Sequence, residues 1–259
     1  MSARLPRGLA WYAAVALAAL HLPVLVLALF SFNASRFAGR WTGFTTAWYA
    51  ALPARTELWA GLRLSLLVGA CATVLATILG TLAALALGRH VFRGRRTAEA
   101  LVLVPLVTPE IVVGIATLLL FAALGVELGI GTIVLAHTAF ALPFVVTVVG
   151  ARLAGLDRSL EEAALSLGAD ELAVFRRVTL PLLRPGITAA ALLAFTLSFD
   201  DVVITFFTGG IGTNTLPLVV YAMVRRTVEP TVNAISTLIV LVTTVLIVLA
   251  DRASREPTR

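Results

Sequence analysis

Asp157–Arg184 reads DRSLEEAALSLGADELAVFRRVTLPLLR, an amphipathic stretch set between two runs that are almost wholly apolar. Leu160, Ala163, Ala164 and Leu167 recur at three- and four-residue steps, so they line one stripe of a helix, with Glu161, Glu162 and Ser166 mostly off it. Gly168 breaks that stripe. Leu172, Phe175 and Val178 form a second short apolar set leading to Pro181, and Pro185 marks the return to an apolar run. The pattern predicts a helix, a bend and a short helix lying along a membrane face rather than crossing it.

The flanking runs make the membrane reading unavoidable. Of 259 residues, 59% are hydrophobic and 13% charged, and mean hydropathy is +0.99, whereas soluble domains carry about 25% charged residues. Apolar runs cover 9–32, 64–87, 100–124, 128–151, 186–207 and 231–250. Each is near the roughly 20 residues that a helix needs to cross hydrocarbon with its backbone satisfied. About six spans are therefore expected in an all-α chain, treated as a single membrane domain over 1–259 with the 157–184 loop on one face. The first run is longer than a signal-peptide core and lacks an A-x-A site, so it is expected to stay as a helix.

Charge sets the expected orientation. The 20 basic residues are all arginine, which excludes a GxxxxGK[ST] phosphate loop and a lysine Schiff base. With the N-terminus in the cytoplasm, arginines 4, 7, 89, 93, 95, 96, 152, 158, 176, 177, 184, 252, 255 and 259 fall inside, against 36, 40, 55, 63, 225 and 226 outside. Positive charge retained inside then predicts two cytoplasmic termini. The net charge of +6 thus reports topology and calls for no nucleic acid. Cys71 stands alone, and His21, His90 and His137 form no ligand pattern, so neither a disulfide nor a metal is expected. Trp41, Trp48, Tyr49 and Trp59 read as an interfacial belt.

Glu162-Ala163-Ala164, Gly168, and Leu180-Pro181 reproduce the spacing of a motif. The segment resembles the EAA motif of bacterial ABC importer permeases, with Val178-Thr179-Leu180-Pro181 in place of I-x-L-P. Beyond it, Ser31-Phe32-Asn33, Trp41-Thr42-Gly43-Phe44, Pro109-Glu110-Ile111-Val112, Leu197-Ser198-Phe199-Asp200-Asp201 and Asn233-Ala234-Ile235-Ser236-Thr237 are similar to permease subunits of spermidine/putrescine importers. The resemblance implies a type I importer permease fold in a bacterial inner membrane, with 157–184 as the coupling helix docked in a groove of an ATPase subunit. It also implies two ABC ATPases, a second, non-identical permease as heterodimer partner, and a solute-binding protein outside. The chain itself would hold no cofactor; ATP and Mg would sit on the ATPase.

Glu110, Asp200 and Asp201 are the acids inside predicted spans, where a charge costs roughly 2.5–3.5 kcal/mol at the helix centre. Carboxylates at that depth suit a route for a cationic solute. Pro105 and Pro109 should kink the third span beside Glu110. Asp200 and Asp201, as helix neighbours, should point about 100° apart, one lining the route and the other bracing a helix. His137 is expected as a buried, satisfied imidazole, and Tyr221 as a residue that touches the binding protein or stacks on an alkylammonium. A proton-coupled secondary transporter of a cationic solute is the alternative, but no internal repeat supports it. No catalytic constellation points to an enzyme.

Overall fold

The structure is a computed structural model that describes residues 7–35, 40–226 and 230–254. Arg4, Arg36, Arg255 and Arg259 of the charge count lie outside the described residues. The described chain is helical, and its one extended pairing is an isolated bridge between Asn33 and Phe44. In order the helices are α1 (Arg7–Phe30), α2 (Ala47–Ala51), α3 (Thr56–Arg89), α4 (Arg95–Val107), α5 (Glu110–Ala123) and α6 (Ile130–Ala154). There follow α7 (Ser159–Ser166), α8 (Glu171–Val174), α9 (Leu180–Phe199), α10 (Val203–Thr208), α11 (Leu216–Arg226) and α12 (Pro230–Ser254).

By length and composition, four helical stretches can cross a membrane: Trp11–Phe30, Thr56–Arg89, Ile130–Ala154 and Glu171–Phe199. A fifth is α4 with α5, bent by 115° at their junction. The apolar part described for α12, Pro230–Val245, is shorter. Two expected boundaries move for physical reasons. The run at 64–87 becomes a 34-residue helix because good helix formers around Glu57 and Arg63 extend it past the hydrocarbon. The run at 186–207 stops at Phe199 and resumes at Val203, for a reason that lies in Asp201.

Packing divides the chain into two units, one of 1–56 with 220–259 and one of 57–219. In the first, α12 lies against α1 and α2. Two of the four aromatic residues read as an interfacial belt are also tied into local structure. Trp48 Nε1 donates to the Asn33 carbonyl at 2.7 Å, and Tyr49 OH meets Ser31 Oγ at 2.6 Å. Asn33, itself buried, gathers Thr42 N–H at 2.9 Å and donates to the Arg40 carbonyl at 2.8 Å. Aromatic rings there serve a folded loop.

The second unit is built on α6. Small residues let its neighbours approach: Ala76 and Ala84 of α3 and Ala190 and Ala194 of α9 pack on Val145 and Val149. At Gly80 a methyl group would stand 2.7 Å from Val145 Cβ, so this contact depends on the missing side chain. Close packing of small faces, rather than burial from water, is what holds helices together in lipid.

Candidate functional site

The first cluster sits where two spans are broken. Pro109 has no N–H and disfavours helix at the residue before it, and Thr108 is accordingly extended at φ −87°, ψ 130°. Its hydroxyl turns back to the Val104 carbonyl at 2.8 Å. The carbonyls of Leu101 and Pro105 lack the helical donors that Pro105 and Pro109 cannot supply. The expected kink is thus a sharp elbow, and Glu110 is the first residue beyond it, in the first turn of α5 where a negative charge suits the helix dipole.

The two aspartates are not helix neighbours, as the sequence suggested; both lie in the break between α9 and α10. Asp200 is the C-cap of α9 and is exposed. Asp201 is buried, and its carboxylate accepts the backbone N–H groups of Ile204 at 3.3 Å and Thr205 at 2.8 Å. Those two bonds start α10, so the carboxylate that looked like a pathway charge performs a cap's work. His137 on α6, 1% exposed, holds it from the other side, with Nε2 at 3.1 Å from Asp201 Oδ1. The imidazole also meets Ser198 Oγ at 2.7 Å through Nδ1 and Thr205 Oγ1 at 3.0 Å through Nε2. The expected satisfied histidine is found here, joining α6, α9 and α10.

Glu110 stands on the same side as this group, α5 being packed against α10. Gly114, one turn further along α5, permits the approach, since a methyl there would stand 2.7 Å from Phe207. The cluster therefore offers one exposed acid, Asp200, one half-buried acid, Glu110, and one committed to structure, Asp201. Tyr221 belongs to the other unit. Its ring carries the Arg225 guanidinium at 5.1 Å, which takes the position that an alkylammonium would need.

The second cluster is the amphipathic segment. Asp157 opens it by accepting the Ser159 N–H at 2.9 Å, a bond that holds its carboxyl below the usual range. Glu162 and Ala163 on α7 are exposed and Ala164 is half-buried. Gly168 adopts φ +88° with open space around its α-carbon. Its N–H bonds the Leu165 carbonyl at 2.9 Å and that of Ala169 bonds Ala164 at 3.1 Å, the paired bonds of a left-handed helix stop. Asp170 then caps α8 through the Ala173 N–H. Leu160, Leu165, Leu167 and Leu172 stay uncovered, Leu167 being 89% exposed.

After α8 no break separates the segment from the next span, which was expected to begin at 186. Phe175–Thr179 forms a wide π turn that runs directly into α9, with Leu180 and Pro181 half-buried at its start. Proline is tolerated there because the first helical turn needs no N–H donors. Glu161, which the stripe left aside, turns inward. Its Oε1 accepts Arg89 Nη2 at 3.1 Å and Thr179 Oγ1 at 2.8 Å. Nothing local in the sequence separates this glutamate from Glu162, since its partners lie 72 and 18 residues away.

A family model described as "Binding-protein-dependent transport system inner membrane component" matches residues 76–255. The spermidine/putrescine transport system permease protein PotC of Escherichia coli (strain K12) is 39% identical over 240 residues, 93% of this chain and 91% of that one. The putrescine transport system permease protein PotI of the same strain is 44% identical over 227 residues, 85% and 81% of the two chains. Among solved structures, a bacterial ABC transporter involved in import of the acidic polysaccharide alginate matches with TM-score 0.67 at 18% identity, covering 99% of both chains. That likeness concerns the fold.

Proposed function

This chain belongs to the family of inner membrane components of binding-protein-dependent transport systems, and from that premise we propose that it is an importer permease that lines a route for polyamines. The family match makes it a transport component, and on this proposal its own chemistry is a lining and a lever. The observation that carries the coupling part is the uncovered apolar face of α7 and α8, held at a fixed angle by left-handed Gly168. Leucines exposed beside a free Glu162 suit a protein groove. An interfacial anchor would favour a basic residue in the position of exposed Glu162.

On this reading Glu162, Ala163, Ala164 and Gly168 dock in a separate ATPase, with Leu180 and Pro181 passing the motion into α9. ATP and Mg belong to that subunit. A non-identical second permease completes the route, a solute-binding protein delivers the cargo, and both termini face the cytoplasm. Polyamine is the proposed cargo because PotC and PotI carry that description and because Glu110 and Asp200 stand at broken helices. Carbonyls and carboxylates together suit an ammonium group.

Reconstituting the complete complex and measuring putrescine-stimulated ATP hydrolysis beside agmatine, arginine and molybdate tests this reading. Stimulation confined to polyamines supports it. Stimulation by an anion alone, with none by putrescine, refutes the cargo.

A further inference from the structure

From the Arg89–Glu161–Thr179 contact we propose that Glu161 is a positioning residue that fastens the coupling helix to α3 as well as to α9, so that displacement of α7 moves both helices together. The inference rests on the docking role proposed for α7. It concerns a different side chain from the exposed Glu162, and a different surface.

Chain connectivity already ties α7 to two spans. Gly155–Arg158 joins it to α6, and α8 with the π turn joins it to α9. Arg152 reinforces that side, its Nε donating to the Leu182 carbonyl at 3.1 Å while its side chain packs where Gly186 leaves room. No peptide bond links α7 directly to α3, whose last residue is Arg89. That connection is made through Glu161 Oε1, which accepts Arg89 Nη2 and Thr179 Oγ1 at once.

Three features make this a joint rather than a chance surface pair. Arg89 and Glu161 side chains are 14% and 19% exposed, so water screens the pair incompletely. Thr179 is 5% exposed and ends a π turn, an irregularity that concentrates at functional places in helices. Arg89 Nε is buried with no acceptor among the described residues, so the guanidinium is held by packing and by this one carboxylate. Removing the carboxylate strands a cation and a threonine hydroxyl together.

The test uses the assembled complex with its ATPases, second permease and binding protein. Glu161→Ala and Arg89→Gln should raise the ATP consumed per putrescine imported by about three- to tenfold, the shift expected from losing one charge-assisted hydrogen bond at a partly exposed site. Retention of the ATPase subunits should be unchanged. Glu161→Gln, which keeps an acceptor for Thr179, should lie between, and the exchanged pair R89E/E161R should recover part of the loss. Spin labels at positions 90 and 159, both exposed, should keep their separation on nucleotide binding in the wild type and lose it in Arg89→Gln.

An unchanged coupling ratio in both single variants, or a wild-type separation that changes with nucleotide, overturns the joint while leaving the docking role intact. Loss of the ATPase from Glu161→Ala overturns it in favour of direct docking. A wild-type complex that retains no ATPase removes the docking role, and the joint with it.

Discussion

Replacing Gly168 by alanine separates backbone geometry from every other explanation of the coupling bend. A methyl group at this position meets nothing within 4 Å, and φ is +88°, so steric contact contributes nothing and conformation contributes everything. A non-glycine residue in the left-handed region costs roughly 1–2 kcal/mol, equivalent to a loss of about 5- to 30-fold in the population of the bent segment. If docking needs that bend, the affinity of the ATPase should fall by the same factor. Asparagine tolerates this region better, so Gly168→Asn should lose less than Gly168→Ala despite its larger side chain. The assay is titration of the purified ATPase subunit onto the permease in nanodiscs, read by fluorescence anisotropy. Equal affinity for wild type and Gly168→Ala, or an asparagine variant weaker than alanine, refutes the role given to the left-handed turn.

Three further outcomes follow from the acid cluster and the helix contacts. Replacing His137 with phenylalanine leaves Asp201 buried without its side-chain partner, and breaking such a pair costs about 3–5 kcal/mol; two backbone N–H bonds remain, so thermal unfolding of the detergent-solubilised complex should show the lower part of that loss. His137→Gln should recover part of it. Asp200→Asn and Glu110→Gln should each lower putrescine uptake in vesicles with assembly intact, whereas Asp201→Asn should lower the melting temperature; unchanged uptake in both of the first pair removes them from the route. Gly80→Ala should cost about 1–3 kcal/mol as overpacking against Val145, visible as a fall in melting temperature, and an unshifted melt would show that α3 and α6 part without penalty.

Local chemistry made much of this legible. The α7 stripe, the Gly168 stop and the elbow at Pro109 each depend on residues within a few positions of one another, and a sequence displays such spacing directly. The assignment of the acids was less accessible. Asp200 and Asp201 are chemically identical neighbours, and what distinguishes them is His137, more than sixty residues earlier, together with the N–H groups of a helix whose start was not visible in an unbroken apolar run. Hydrophobicity marks where chain can lie in lipid, but it does not mark where a carboxylate ends one helix and begins another. Glu161 illustrates the same limit, because its inward turn is decided by Arg89 at the far end of α3.

A photoreactive amino acid at Leu167, 89% exposed, reports whether an ATPase grips α7. Irradiated in native membranes and analysed by mass spectrometry, position 167 should form an adduct with the ATPase subunit whose yield changes when ATP is trapped. Adducts formed with phospholipid alone would show that the segment lies on lipid and that no ATPase grips it.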